Sequence, residues 1–159
     1  MTTYHLRRKE MAIDDPQQMA EIIRGQQYMA LALCKDNEPY LVTMNYGFDE
    51  ERRCFYFHCA QRGKKMDYLA ANPVVWGQIT EDRGLVAGQC DYAYRTVQFR
   101  GRVEFLEDLE AKRQALSLMI EQLESEPEPL KARLLQAARL EKVTVGCIWI
   151  QEMTGKRGE

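Results

Sequence analysis

The stretch Tyr94 to Phe105 constrains the architecture of this chain more than any other segment. Val97, Phe99, Gly101, Val103 and Phe105 recur with a period of two, and Thr96, Gln98, Arg100, Arg102 and Glu104 fill the alternate positions. Successive side chains of a strand point to opposite faces of a sheet, so this segment has one apolar face to bury and one polar face left over. Such a strand needs partners, and the rest of the chain supplies them. Tyr40 to Phe48 repeats the pattern, with Tyr40, Val42, Met44, Tyr46 and Phe48 on one face. Gln27 to Lys35 precedes it across an Asp-Asn-Glu-Pro turn, and Arg53 to His58 follows it across Asp-Glu-Glu-Arg, which predicts consecutive hairpins. Val74 to Thr80 and Val143 to Ile150 are two further strands, the latter ending in the charged tail MTGKRGE. Residues 83–91 read as an irregular, Gly-rich passage.

Helices fit between these strands. Asp14-Asp15-Pro16 is a cap and first-turn proline ahead of Met19, Ile22 and Ile23, and Gly25 stops that helix after a basic N-terminal arm. Gly63 to Ala71 is a short helix ended by Asn72-Pro73. Asp108 caps a longer one reaching Leu123, with Leu109, Leu116, Met119, Ile120 and Leu123 in one stripe, and a helical piece over Leu130 to Leu140 follows the break at Glu126 to Pro129. About six strands, joined early by hairpins and without regular beta-alpha-beta alternation, favour a mainly β fold: an antiparallel barrel with peripheral helices. With 159 residues, no internal repeat and no low-complexity linker, residues 1–159 are expected to form one domain.

Composition excludes several function classes. The formal net charge of −2 leaves no global positive field for nucleic acid or an anionic membrane. The longest apolar runs have strand length and the N-terminus has no apolar run after its basic residues, so neither a spanning helix nor a secretory signal is expected, and a cytoplasmic location is. Cys34, Cys54, Cys59, Cys90 and Cys147 stand singly, without a CxxC pair, which argues against a disulfide framework or thiolate metal site and for mostly reduced, partly buried thiols. The chain has no phosphate-loop, dinucleotide-fold, nucleophile-elbow or HExxH motif, and its two histidines, His5 and His58, are too few for a His-rich metal site.

Two features carry chemistry instead. Opposite the apolar face of Tyr40 to Phe48 lie Leu41, Thr43, Asn45 and Gly47, small and polar where a plain solvent face would show Lys or Glu, so this face is open to a ligand. The run HCAQRGKKMDYLAANP at 58–73 places Lys64 and Lys65 at the start of a helix. A helix N-terminus already carries partial positive charge, so lysines there are unfavourable unless an anion lies nearby, and the arrangement predicts a bound phosphate. The competing reading makes the lysines solvated surface residues and His58 a histidine satisfied by a backbone carbonyl.

Taken together, RRKEMAI at 7–13, EPYLVTMNYGFD at 38–49, FYFHCAQRGKKMDYLAANP at 55–73, YRTVQFRGRVEFLEDLEAKRQAL at 94–116 and IQEMTGK at 150–156 resemble the pyridoxamine 5'-phosphate oxidase-related FMN-binding split-barrel proteins, nearest their nitroimidazole-resistance branch. The resemblance implies a six-stranded split barrel, a homodimer, and FMN in clefts between subunits. It implies that Thr43, Met44, Asn45 and Tyr46 run along the isoalloxazine, chiefly through backbone groups. His58, Lys64 and Lys65 would lie at the ribityl phosphate end, Thr96 and Gln98 would be contacts from a second strand, and Trp149 would reach the flavin from the last strand. Cys59 and Thr96 stand where many members have Ser, the first losing a hydroxyl near the implied phosphate and the second keeping one. The segment SEPEPLKARLLQAARLEKV matches nothing in the family pattern. The implied activity is FMN-dependent oxidation and reduction of small nitro- or quinone-like aromatic compounds, with no side chain singled out as catalytic; the alternative is a non-catalytic flavin- or haem-binding protein of the same fold.

Overall fold

The computed structural model describes residues 6–158; His5 and the start of the basic arm lie outside the described residues. A turn of 3-10 helix at Lys9–Met11 leads into β1 (Ala12–Ile13), α1 (Pro16–Arg24), β2 (Tyr28–Lys35), β3 (Glu38–Asn45), β4 (Gly47–Asp49), β5 (Cys54–Cys59) and α2 (Lys64–Ala71). Then come β6 (Val74–Val86), β7 (Asp91–Phe105), α3 (Leu109–Leu123), α4 (Pro127–Leu134), α5 (Ala137–Leu140) and β8 (Thr144–Gly158). The strands form one antiparallel sheet in the order β3-β2-β6-β7-β8-β5-β4, with β1 paired to β8. The two ends of that path, β3 and β4, are separated in sequence by Tyr46 alone, so the sheet curls until its ends meet, as an antiparallel split barrel does.

The expected Tyr40 to Phe48 strand is therefore two strands with different partners: β3 pairs with β2, and β4 pairs with β5. The break has a physical cause at Tyr46. Its ring is buried, and its hydroxyl lies within hydrogen-bonding reach of the Ile23 carbonyl and, at 3.0 Å, of the Gln26 carbonyl, pinning the bend to the end of α1. Other boundaries also move. Residues 83–86 continue β6, residues 91–93 begin β7, and the charged tail is the second half of β8, paired to β7 from Gly158↔Tyr94 through Glu152↔Arg100. Eight strands replace six because of β1 and the division at Tyr46. The helical piece at 130–140 is likewise two helices, α4 and α5.

Caps sit where the sequence puts them. The Asp15 carboxylate accepts from the Gln17 amide at 2.9 Å and that of Asp108 from the Ala111 amide at 2.8 Å. Inside the barrel, Phe55, Phe57, Phe99, Ile79 and Val97 are fully buried, the Phe55 and Phe99 ring centroids lie 4.5 Å apart, and Ile22 and Ile23 of α1 belong to the same core. Gly77 is required here, since a Cβ on it would lie 2.1 Å from the Phe99 ring. A second apolar cluster lies on the outer surface of β5 and β8, where Cys54, Tyr56, Val145 and Cys147 pack under Ala115, Leu116 and Met119 of α3 and Leu140 of α5. The five cysteines are all free; Cys54 and Cys147 are buried and Cys59 half-buried, as expected of most of them, while Cys34 and Cys90 are exposed.

Candidate functional site

The outer face of the barrel is covered unevenly. Over β4, β5 and β8 it lies beneath α3; over β3, β2 and β6 it carries Leu41, 67 % exposed, and Tyr28, 65 % exposed. Register aligns two rows of side chains across this open region. One runs Thr43, Ala30, Gln78, Gln98, Thr154 and the other Leu41, Ala32, Trp76, Arg100. Between them is a cavity of about 480 Å³ lined by Ala30, Ala32, Leu41, Trp76, Gly77, Gln78 and Gln98. Its floor is flat because β2 presents alanines outward, and its polar side is an ordered amide chain. Gln98 Nε2 donates to Gln78 Oε1 at 2.8 Å, and Gln78 Nε2 donates to Thr80 Oγ1 at 3.0 Å.

Sequence-expected residues distribute around this face as follows. Thr43 and Gln98 lie on it and are exposed. Asn45 is also exposed, its Nδ2 donating to the Gln27 carbonyl at 2.9 Å. Met44 and Tyr46 point into the barrel core, so only their backbone is available to a ligand on this side, and burial drives the Tyr46 phenol's pKa upward. Thr96 is buried, its hydroxyl 3.5 Å from the Lys156 carbonyl, in a smaller depression lined also by Gln78, Gln98 and Thr154. Trp149 lies further along the outer surface, its indole N–H donating to Glu104 at 2.8 Å. Gly47 is removed from the ligand face: α3 crosses it so closely that a Cβ there would lie 2.7 Å from Leu118 and Met119. Gln122 of α3 completes that contact by bonding both the N–H and the C=O of Phe48.

His58 and Asn45 do not sit on paired strands, as the single-hairpin expectation had it. The last pair joining β4 to β5 at this end is Gly47↔Tyr56, and beyond it the strands part, with Asn45 and His58 each two residues further along. They flank the mouth of the split. Near the mouth stands α2, whose N-cap is Gly63 at φ 132°, a left-handed conformation with no side chain to cap the first-turn amides. Lys64 places its ammonium 4.4 Å from the Tyr40 ring centroid and 5.4 Å from that of Tyr68. That cation–π seat compensates for its unfavourable place in the first turn without any anion, a device the sequence did not reveal. Lys65 is half-buried and faces His58: desolvation first, then the Lys65 charge, hold the His58 pKa below the ordinary histidine value. The Cys59 thiol lies 3.6 Å from the Met66 sulfur, and burial raises its pKa.

Trp76, Gln78, Ala30 and Ala32 were missed as site residues. Their signal was present in the alternation Ala30-Leu31-Ala32 and Trp76-Gly77-Gln78, but only the pairing of β2 with β6 shows that these outward positions are adjacent. Among the described residues no group of three or more His, Cys, Asp or Glu could hold a metal ion, and no helix is long and apolar enough to cross a membrane.

The sheet order, the parted seam between β3 and β5 and the peripheral helices define the class of fold as an antiparallel split barrel. The chain belongs to the pyridoxamine 5'-phosphate oxidase family, whose model matches residues 15–157. Among solved structures it is similar to one from Bacteroides thetaiotaomicron described as a candidate 5-nitroimidazole antibiotic resistance protein, at 27 % identity and TM-score 0.77, over 92 % of this chain and 86 % of that one. An FAD-binding protein from Mesorhizobium loti shares the fold at 22 % identity and TM-score 0.67, over 91 % and 96 %. So does a flavocytochrome from Azotobacter vinelandii, at 18 % identity and TM-score 0.81, over 96 % and 72 %. No curated protein matches the chain.

Proposed function

We propose that this chain binds FMN and is an oxidoreductase acting on small nitro- or quinone-like aromatic compounds. The observation that carries the reading is the open face itself: a flat apolar floor of Ala30, Ala32, Leu41 and Trp76, edged by the amides of Gln78 and Gln98 and lying near a split whose mouth is basic. A planar heterocycle with a polar edge and an anionic tail matches that chemistry. Thr43, Asn45 and the backbone of Met44 and Tyr46 would flank the ring on one strand, with Gln98 and Thr96 on another. His58, Lys64, Lys65 and the uncapped amides of α2 would hold the phosphate. Membership of the family and the flavin-binding descriptions of the Mesorhizobium and Azotobacter structures support the cofactor class, and the Bacteroides structure supports the substrate class.

Bound flavin would supply the electron transfer, which is why no acid–base constellation is needed on the chain. The protein's part is to orient the ring through the Gln78–Gln98 pair and to exclude water. One subunit alone cannot do the second, because Leu41 and Tyr28 stand open to solvent; a two-fold partner seated on this face would close the cleft and create two equivalent sites. Absorbance of the purified protein, followed by reoxidation of its reduced form by a nitroaromatic compound, tests both halves of the proposal. Flavin bands and faster reoxidation with the nitro compound than with buffer alone are expected. A Soret band, or reoxidation indifferent to the compound, would refute the reading.

A further inference from the structure

A second cavity, of about 660 Å³, lies beside the segment between α3 and β8. That volume is within the range of small-molecule sites. Its wall is fixed to the rest of the fold at several points. Lys112 of α3 donates to the carbonyls of Leu140 at 3.3 Å and Val143 at 3.0 Å, and the Arg113 guanidinium donates to the Leu135 carbonyl. Gln61, from the loop after β5, donates to the Lys142 carbonyl at 3.2 Å, and Leu140 is fully buried. These bonds dock α5 and its flanks against α3, with Leu140 in the second apolar cluster, and so fix one wall of the cavity.

The lining has a consistent polarity. Leu116, Leu134, Ala138 and Val143 give apolar walls, and the ionisable residues are His58, Cys59, Arg139 and Lys142, with no carboxylate. Arg139 and Lys142 have no ion-pair partner among the described residues. Lys65, facing His58, adds positive charge at the β5 end. The apolar walls suit an apolar body, and the two exposed cations at their edge suit a negative charge at its end.

We propose that this cavity binds a small amphipathic carboxylate, its apolar body against Leu116, Leu134 and Val143 and its carboxylate held by Arg139 and Lys142. The site stands on its own lining and does not rest on the flavin reading. Isothermal titration of the full-length chain with benzoate, benzamide and inorganic phosphate tests it, alongside an R139Q/K142Q variant whose two exposed positions leave the core untouched. Benzoate is expected to bind about tenfold more tightly than either benzamide or phosphate, and the double variant to lose about that factor for benzoate with its melting temperature and its benzamide affinity unchanged. Leu134→Ser should weaken benzoate and benzamide alike. Equal affinity for benzoate and benzamide, undiminished benzoate binding in the double variant, or no benzoate binding in the wild type would each overturn the proposal. Because His58 and Lys65 border both this cavity and the proposed phosphate end, FMN is expected at most to weaken benzoate binding, and mutually exclusive binding would overturn the proposal by merging the two sites; failure of FMN to bind at all leaves the benzoate titration fully interpretable.

Discussion

Replacing Lys64 and Lys65 together by Ala separates the two roles that the structure gives these side chains. If both ammonium groups hold a phosphate, each charge-assisted contact contributes about 1.5–3 kcal/mol when desolvated. Lys64 is exposed and Lys65 half-buried, so solvent screening reduces the pair to about 2–4 kcal/mol, a loss of roughly 30-fold to 900-fold in FMN affinity. Lys64 also sits over the Tyr40 and Tyr68 rings, and removing it should cost the unliganded fold about 0.5–1 kcal/mol. For a chain of this size that is a fall of about 1–4 °C in melting temperature. The single variants divide the effects: Lys64→Ala should show both losses and Lys65→Ala the affinity loss alone. FMN binding is followed by quenching of its fluorescence at a temperature well below every variant's melt. A folded double variant with wild-type affinity would refute the phosphate assignment, leaving Lys64 as a purely structural cation.

Tyr46→Phe keeps the buried ring but deprives the Ile23 and Gln26 carbonyls of their shared donor, and thermal melts should show a loss of about 1–3 kcal/mol. Gly47→Val drives methyl groups into Leu118 and Met119 and should destabilise by about 1–3 kcal/mol in denaturant titration, through the α3 contact and not through a ligand face. His58→Asn, which keeps a donor, should retain more FMN than His58→Leu in titrations run beside melts, and equal affinities would remove His58 from the phosphate end. Because the folded-state pKa of His58 lies below the unfolded value of about 6.5, the unfolded chain binds more protons near that pH. Its contribution is fully present above the unfolded value and lost as pH falls toward the folded one. The wild type should therefore lose stability on acidification through that window, and H58N should lose less; matching pH profiles would contradict the assignment.

The barrel was legible because its evidence is local. Val97 to Phe105 alternates over enough residues to fix which face is buried, and Asp15 and Asp108 announce their helices by capping chemistry that needs nothing beyond the next turn. The bend at Tyr46 was not legible. Tyr40 to Phe48 keeps its period of two through the break, and what ends the pairing is a hydroxyl meeting carbonyls at the far end of α1. The second half of β8 was hidden for a different reason: its charged residues read as tail until β7 supplies the matching strand. At the site, Thr43, Asn45 and the two lysines could be proposed from composition and helix-terminus electrostatics. The apolar floor could not, since Ala30 and Trp76 are 46 residues apart and meet only through the register of β2 on β6.

Native mass spectrometry of the purified protein after incubation with FMN tests the central claim most directly. The account predicts one dominant species of two chains carrying two FMN molecules, with the cofactor lost and the dimer kept in the K64A/K65A variant. A monomer, or a dimer that takes up no FMN, would contradict it.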